Sequence, residues 1–193
     1  MLPEGKLYVP GAEETRAAMA RLVQGARDAG IAHVASADDH ELTDPEISND
    51  PDFETTYPPH CLRGTAGAQK IPETTQLDPL PLASTPYPPG ALAELVAGRR
   101  EILLLKKSYS VFANPSAEPL LRILDPAEIA VFGVATDVCN HAAITGMLER
   151  GVDVAFVEDA ARGLSEARVA RCTAEWRDRG VRFTTVDELL ARW

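Results

Sequence analysis

The sequence of 193 residues lacks several features that would point to whole classes of protein. It has no apolar run of about 18 residues, so no membrane-spanning segment is predicted. Its first residues, MLPEGKLYVPG, lack the basic and apolar regions of a signal peptide, and we expect a cytoplasmic location by default. Basic residues are outnumbered by acidic ones, 19 to 29, for a net charge of −10. This balance argues against nucleic acid or a membrane surface as a partner.

Cysteine is also scarce, and its three positions form neither a CxxC pair nor an even-numbered framework. A thioredoxin-type motif is therefore excluded, and a disulfide scaffold is not expected. A lone cysteine is usually a small buried apolar residue, and this is our interpretation of Cys61 and Cys172. A GxGxxG segment after a first strand is missing as well, which excludes a dinucleotide-binding domain.

What is present is an alternation of strands and helices. It predicts an α/β fold: one domain over residues 1–193, with a doubly wound parallel sheet and helices on both faces. Residues 38–89 hold ten of the fifteen prolines, so we expect an irregular stretch there that walls a substrate pocket or reaches a neighbouring subunit. The predicted strands are 31–37, 101–105, 129–134, 152–157 and 181–186. The predicted helices are 13–29, 90–97, 116–124, 165–179, 187–192 and one that follows the turn at 135–137 and has Cys139 in its first turn.

The strongest functional signal is this cysteine, which follows a predicted strand. Residues 129–134 read IAVFGV, an apolar run typical of a buried strand, and the turn Ala135-Thr136-Asp137 leads into a helical pattern. Cys139 therefore lies in the first turn of a helix. Backbone N–H groups and the helix dipole there favour a thiolate and can hold an oxyanion. This placement predicts a nucleophile.

A lysine follows another predicted strand. Lys106, with Lys107 beside it, comes directly after strand 101–105. Such a lysine is ordinarily a solvated surface residue. Because ligands bind at the carboxyl ends of parallel strands, it could instead lie in the same crevice as Cys139. Its ammonium would then stabilise a thiolate and the charge that develops on a carbonyl.

A short segment of two aspartates and a histidine, Asp38-Asp39-His40, follows the predicted strand 31–37. It is either the polar start of a loop or a divalent metal site that His60 completes. The mixed nitrogen and oxygen ligands of such a site suit Zn, Fe or Mn.

Taken together, these segments resemble the isochorismatase-like cysteine hydrolases, and within them the nicotinamidase-related branch. The resemblance covers about residues 5–190. It is carried by GVATDVC at 133–139 with NHAA after it, by KKSYSVFANP from Lys106, by PPHCLRGTAG at 58–67, and by the Asp38-Asp39-His40 step. It implies an enzyme without an organic cofactor that hydrolyses a small-molecule amide C–N bond, with nicotinamide as the first candidate substrate.

The resemblance also implies roles for individual residues. Cys139 matches the nucleophile that forms an acyl-enzyme, and Lys106, rather than Lys107, matches the catalytic lysine. A cis peptide bond between Val134 and Ala135 is implied, with the amides of Ala135 and Cys139 as the oxyanion hole.

The implied metal ligands are Asp38, His40 and His60. The branch commonly has another histidine shortly after the Asp-x-His step, where this chain has Glu41, Asp44 and Glu46. Family members usually form dimers or tetramers, so a homo-oligomer is expected. Tyr57, Tyr109 and Phe112 are candidate walls of the substrate pocket; each could equally be an ordinary core or loop aromatic.

One element of the family pattern has no counterpart. Family members begin with a central strand that ends in an aspartate, the general base, followed by a segment like GKLYVPG; this chain opens at that later segment. Without the strand, two neighbouring strands would leave backbone groups unpaired. We expect the natural protein to begin upstream of Met1; the alternative is a variant without the base. Asp38, Asp39 or Asp137 could replace the base in principle.

Other functions remain open from the sequence. The runner-up substrates are an N-carbamoyl amide and isochorismate. A pseudoenzyme would keep the fold without the chemistry. A receiver-type signalling domain would also use acidic residues and a lysine at strand ends, but it needs a phosphoacceptor aspartate after a central strand and does not explain the proline-rich stretch.

Overall fold

The structure, a computed structural model, describes residues 3–193. It confirms an α/β fold of parallel sheets flanked by helices. The residues form two compact units: one contains 8–30 and 126–193 together with Pro3, and the other contains 4–7 and 31–125. In chain order the elements are α1 (Arg16–Asp28), β1 (His33–Asp38), β2 (Leu80–Leu82), α2 (Ala91–Val96), β3 (Glu101–Lys106), α3 (Ala117–Leu124), β4 (Ile129–Val134), α4 (His141–Glu149), β5 (Val154–Arg162), α5 (Glu166–Asp178), β6 (Arg182–Thr184) and α6 (Val186–Leu190).

The first unit is built on the parallel sheet β4-β5-β6. Val154 and Phe156 of β5 pack with Ile144 of α4 and Trp176 of α5 in one apolar core. The alternate residues of β5, such as Ala155, are fully buried too, and α1 and α6 contact this strand. Because successive residues of a strand point to opposite faces, both faces of β5 are covered.

The second unit is built on the parallel sheet β1-β3-β2. Alternate residues of the central strand β3 are buried, and Lys106 is the last of them. Its partner across the ladder is Asp38, the last residue of β1. Side-chain amides bind the loops to this sheet: Gln76 donates to the carbonyls of two strands, and Asn114 donates to those of Leu82 and Leu105.

The structure corrects several predicted boundaries. Residues 38–89 are not wholly irregular, because β2 lies within them; its Pro81 is tolerated because β2 is an edge strand. β5 runs past Val157 to Arg162, with a register shift opposite Gly133, whose φ is 109°. The strand predicted at 181–186 is shorter, because Thr185 already caps α6. A π-helical turn over Thr136–Asn140 precedes α4, so the α-helix begins after Cys139.

Within residues 3–193, no strand takes the place of the central strand that the family pattern has. Among residues 3–193, β1 pairs only with β3 and β4 pairs only with β5. The six strands accordingly form two sheets of three. The helices within the described range are all too short or too polar to cross a membrane.

Candidate active site and metal centre

Three predicted metal ligands converge in the second unit. Asp38 ends β1, His40 follows it, and His60 comes from the proline-rich stretch; one ligand atom from each lies within 4.8 Å of the others. A short backbone ladder explains the convergence, because His40 N donates to Cys61 O at 3.2 Å and Arg63 N donates to His40 O at 2.8 Å. The loop that carries His60 is thereby held against the end of β1.

The two imidazoles are buried and oriented by their Nδ1 atoms. His40 is 0% exposed and its Nδ1 lies 3.2 Å from Asp44 Oδ2; His60 is 7% exposed and its Nδ1 lies 2.8 Å from the carbonyl of Pro58. Because a carbonyl or a carboxylate accepts a hydrogen bond, Nδ1 is the donor in each ring, and Nε2 is the ring nitrogen that remains to bind a ligand. Burial lowers the pKa of His60, which favours the neutral form that binds metals.

The donor set fits a divalent ion. His40 Nε2 is buried and has no hydrogen-bond partner in the described part of the chain, although it lies 3.8 Å from Asp38 Oδ1. A buried polar atom without a partner is costly, and a bound ion would satisfy it. Two imidazoles and a carboxylate are ligands that Zn, Fe and Mn accept in proteins.

Lys106 is not a surface residue. It is 2% exposed, and its ammonium donates to Asp38 Oδ1 and to the carbonyl of Ser108 at 3.0 Å. The neighbouring Lys107 is 29% exposed and lies 3.5 Å from Asp44 Oδ2. The buried lysine is therefore the one joined directly to the metal cluster. The strand alternation of β3 decides this, since it turns Lys106 inward.

An ion-pair network secures the loop from outside. Arg63 binds both carboxylate oxygens of Asp39 and also reaches Glu41 at 2.5 Å. The Arg63 guanidinium lowers the pKa of Asp39. No partner for Arg63 could be predicted from the sequence, because Arg63 and Asp39 are 24 residues apart along the chain.

The three aromatic residues predicted to line the substrate pocket all lie in the second unit, and each makes different contacts there. Tyr57 is 2% exposed and lies edge-on to His60, with ring centres 6.2 Å apart. The backbone amide of Tyr109 donates to the Glu46 carboxylate. Phe112 is half-buried in a 3-10 turn whose preceding residue, Ser110, accepts from its amide at 3.3 Å.

Cys139 lies in the first unit, in the π-helical turn that joins β4 to α4. It is half-buried and forms no disulfide. The amide of Asn140 donates to Ala135 O at 3.0 Å, and the Asn140 side chain donates to Gly133 O at 3.1 Å. The peptide bond between Val134 and Ala135 is cis, as the family resemblance predicts.

Asp137 anchors this turn. Its side chain is fully buried and accepts from Leu164 N at 2.8 Å, from Ser165 N at 3.1 Å and from Arg168 Nε at 2.9 Å. Gly163 lies so close that a Cβ there would be 2.7 Å from Asp137 Oδ1. The carboxylate therefore binds the start of α5 to the turn that carries Cys139.

Comparison with known proteins identifies the class to which this fold belongs. The Isochorismatase domain family matches residues 1–188, and the chain therefore belongs to that family. Among individual proteins, the chain is 28% identical over 184 residues to the nicotinamidase/pyrazinamidase of Mycobacterium tuberculosis. The aligned region covers 92% of this chain and 88% of the relative.

Solved structures share the fold. The pyrazinamidase of Pyrococcus horikoshii, crystallised in complex with zinc, superposes with a TM-score of 0.72 at 20% identity and covers 95% of this chain and 92% of its own. The N-carbamoylsarcosine amidase of Thermoplasma acidophilum has the same TM-score and identity, with 96% and 90% covered.

Two acidic residues of the site were not assigned from the sequence. Asp44 orients His40, and Glu46 is 6% exposed with Oε1 3.7 Å from His40 Nε2. The available signal was that acidic residues stand where the branch commonly has another histidine. The burial of Asp44 and Glu46 and the direction of their side chains could not be predicted from this signal, because the apolar residues in 41–59 follow no helical or strand periodicity.

Proposed function

We propose that this chain is a cysteine-dependent hydrolase of a small-molecule amide C–N bond, with nicotinamide as the first candidate substrate. The observation that carries the proposal is the half-buried thiol of Cys139 in the turn before α4, where the helix dipole favours a thiolate. The similarity to a nicotinamidase/pyrazinamidase over nearly the whole chain supports the substrate class.

The proposed reaction has two halves. The Cys139 thiolate attacks the amide carbonyl carbon, and the amides of Ala135 and Cys139 stabilise the oxyanion. The C–N bond then breaks, the amide nitrogen takes up the proton that the thiol lost and leaves as ammonia, and a thioester remains on Sγ. Water attacks the thioester, the carboxylate product leaves, and Sγ is regenerated. The ammonium of Lys106 stabilises the negative charge that develops on the substrate.

From the sequence, Asp38, Asp39 and Asp137 could each replace the general base. We assign that role to none of them. Asp38 is paired with Lys106, Asp39 is held by Arg63, and Asp137 accepts three hydrogen bonds. Each of the three carboxylates therefore already has an ionic or hydrogen-bonding partner at its oxygens.

In the same proposal, Asp38, His40 and His60 hold a divalent ion. The ion would supply a Lewis acid for a lone pair on a substrate nitrogen or oxygen. Tyr57, Tyr109 and Phe112 are proposed to shape the substrate pocket around this cluster.

The proposal extends to organisation. On the family resemblance, residues 1–193 act as one hydrolase domain in a cytoplasmic homo-oligomer, a dimer or a tetramer. Light scattering on the purified chain should therefore give a mass of two or four chains; a single-chain mass would reject the oligomer.

Ammonia release tests the activity. The purified chain should release ammonia from nicotinamide, pyrazinamide or an N-carbamoyl amide in the panel, EDTA should lower the rate, and added Zn, Fe or Mn should restore it. Cys139→Ala should lower the rate at least about a thousandfold, since no other group can form the thioester. Cys172→Ala is the matched control, because burial raises the pKa of that thiol in the core of the first unit.

Two outcomes would reject the proposal. Absence of ammonia from every amide with the metal-loaded chain rejects amide hydrolysis by residues 1–193. Equal rates for the wild type and Cys139→Ala reject the cysteine nucleophile.

A further inference from the structure

A buried ion pair lies next to the proposed nucleophile. The side chain of Asp137, two residues before Cys139, is fully buried, and that of Arg168 on α5 is 24% exposed. Arg168 Nε donates to Asp137 Oδ2 at 2.9 Å, and backbone amides donate the other two hydrogen bonds to this carboxylate. Arg168 therefore supplies the positive charge of this contact. A buried charge is costly without such a counterion.

The other titratable groups around this turn have more contact with solvent. The turn at 136–140 contacts β4, α4 and α5, and the segment before α1 packs on Ala135. Strand β4 contains no charged residue. The remaining elements carry titratable groups that are each partly or fully exposed: Tyr8, Glu13 and Glu14 before α1, His141 in α4, and Arg171 and Glu175 in α5. Solvent screens such charges, so the pair of Asp137 and Arg168 is expected to dominate the field at Cys139.

The two charges of this pair act on another thiol of the same unit. Burial raises the pKa of Cys172 on α5; the Asp137 carboxylate raises it further, and Arg168 lowers it. A nearby anion disfavours a thiolate and a nearby cation favours it, so the two partners act in opposite directions. Cys139 belongs to the same turn as Asp137 and is subject to the same two charges.

We propose that Arg168 is a positioning residue that acts on the nucleophile through Asp137: its guanidinium offsets the buried negative charge and so favours the thiolate of Cys139. This inference rests on the proposed function, in which Cys139 is the nucleophile. The amides of Leu164 and Ser165 fix the Asp137 carboxylate in place. Without the guanidinium, an uncompensated anion two residues from Cys139 would oppose the ionisation of its thiol.

Alkylation by iodoacetamide tests the proposal without substrate or metal, because its rate follows the thiolate fraction. The full chain is treated over a range of pH, and mass spectrometry counts the modified Cys139 peptide separately from those of the other two cysteines. Arg168→Met should lower the rate at pH 7 by about fivefold or more and move the midpoint of the pH profile upwards. Arg168→Lys keeps the positive charge and should stay within about twofold of the wild type.

Two further variants separate the effect of charge from that of structure. Arg171→Met is the matched control, because Arg171 is an exposed arginine of the same helix, and it should react as the wild type does. Asp137→Asn keeps the shape but removes the anion, so Cys139 should react at least as fast as in the wild type. In the double variant of Asp137→Asn with Arg168→Met, the rate that Arg168→Met loses should be recovered.

A purely structural role of the pair predicts the opposite pattern. Asp137→Asn and Arg168→Met would then both slow alkylation, and the double variant would be slower still; this result would overturn the proposal. A rate for Arg168→Met equal to that of the wild type would overturn it as well. Should Arg168→Met fail to fold by circular dichroism, Asp137→Asn decides alone, since a rate below that of the wild type contradicts the proposal.

The same experiment keeps this proposal distinct from the proposed function. If Cys139 of the wild type reacts no faster than free cysteine at pH 7, the activated thiol of the proposed function is rejected, while the ratio of wild type to Arg168→Met still decides the role of Arg168. If Cys139 reacts faster than free cysteine in the wild type and equally fast in Arg168→Met, the role of Arg168 alone is rejected.

Discussion

Removal of the Asp137 carboxylate should strongly destabilise the unit that carries Cys139. The side chain is fully buried and accepts hydrogen bonds from Leu164 N, Ser165 N and Arg168 Nε at 2.8, 3.1 and 2.9 Å. Hydrogen bonds to a charged group each contribute about 1.5–3 kcal/mol, but bonds to one acceptor are not additive. Since Asp137→Ala also leaves the guanidinium without its buried partner, we expect the free energy of unfolding to fall by about 3–5 kcal/mol.

Two variants make this magnitude testable by urea unfolding. Asp137→Asn keeps the shape and one acceptor oxygen, so its loss should be smaller, about 1–3 kcal/mol. Asp153→Ala removes an exposed carboxylate of the same unit and should change the free energy of unfolding by less than about 0.5 kcal/mol. The reasoning is refuted if Asp137→Ala costs no more than Asp153→Ala.

Three further predictions concern packing and charge. Gly163→Ala should lower the free energy of unfolding in urea by about 1–3 kcal/mol, because its Cβ would lie 2.3 Å from a Val169 methyl. Gly67→Ala is the control, because no atom lies nearer than 3.7 Å to the Cβ it would add. Equal stability of the two variants would contradict the packing at Gly163. The hydrogen bonds from Arg182 lower the pKa of Glu128 from its ordinary 4.5. The stabilisation by Glu128 is therefore fully present above pH 4.5 and is lost as the pH falls through the lower pKa that Glu128 has in the folded protein. The difference in the free energy of unfolding between the wild type and Glu128→Gln should accordingly shrink on acidification. A difference that does not change with pH would argue against the pair of Glu128 and Arg182. Lys106→Met should lower the free energy of unfolding by about 3–5 kcal/mol, because it removes the buried ammonium that donates to Asp38 Oδ1. Lys107→Met should cost under about 1 kcal/mol, because Lys107 is partly exposed; the reverse order would contradict the burial of Lys106.

The placement of single residues at strand ends was predictable from the sequence. Asp38 and Lys106 end β1 and β3, and Cys139 follows β4 of the other sheet; each comes after an apolar run that is typical of a buried strand. Periodicity therefore located these residues before any distance was known. The convergence of His40 with His60 was predicted mainly from the family resemblance, since the Asp-x-His spacing alone favoured a polar loop.

The predictions that were wrong or missing concern features that depend on contacts between residues distant in sequence. β2 was missed because Pro81 weighs against a strand, and only its edge position beside β3 permits the pairing. The π-helical turn at 136–140 was predicted as a short turn that leads into an α-helix, because the apolar pattern over so few residues does not distinguish the two kinds of helix. Glu46 was not assigned, because its direction is set by Tyr109, which is remote along the chain.

Trapping the acyl-enzyme tests the nucleophilic role of Cys139 most directly. The chain is mixed with nicotinamide, quenched in acid within the first turnovers, digested and analysed by mass spectrometry. The account predicts a nicotinoyl thioester on the peptide that contains Cys139, formed together with the first ammonia, and none on peptides with Cys61 or Cys172. Ammonia released without any adduct, at the same rate in Cys139→Ala, would contradict it.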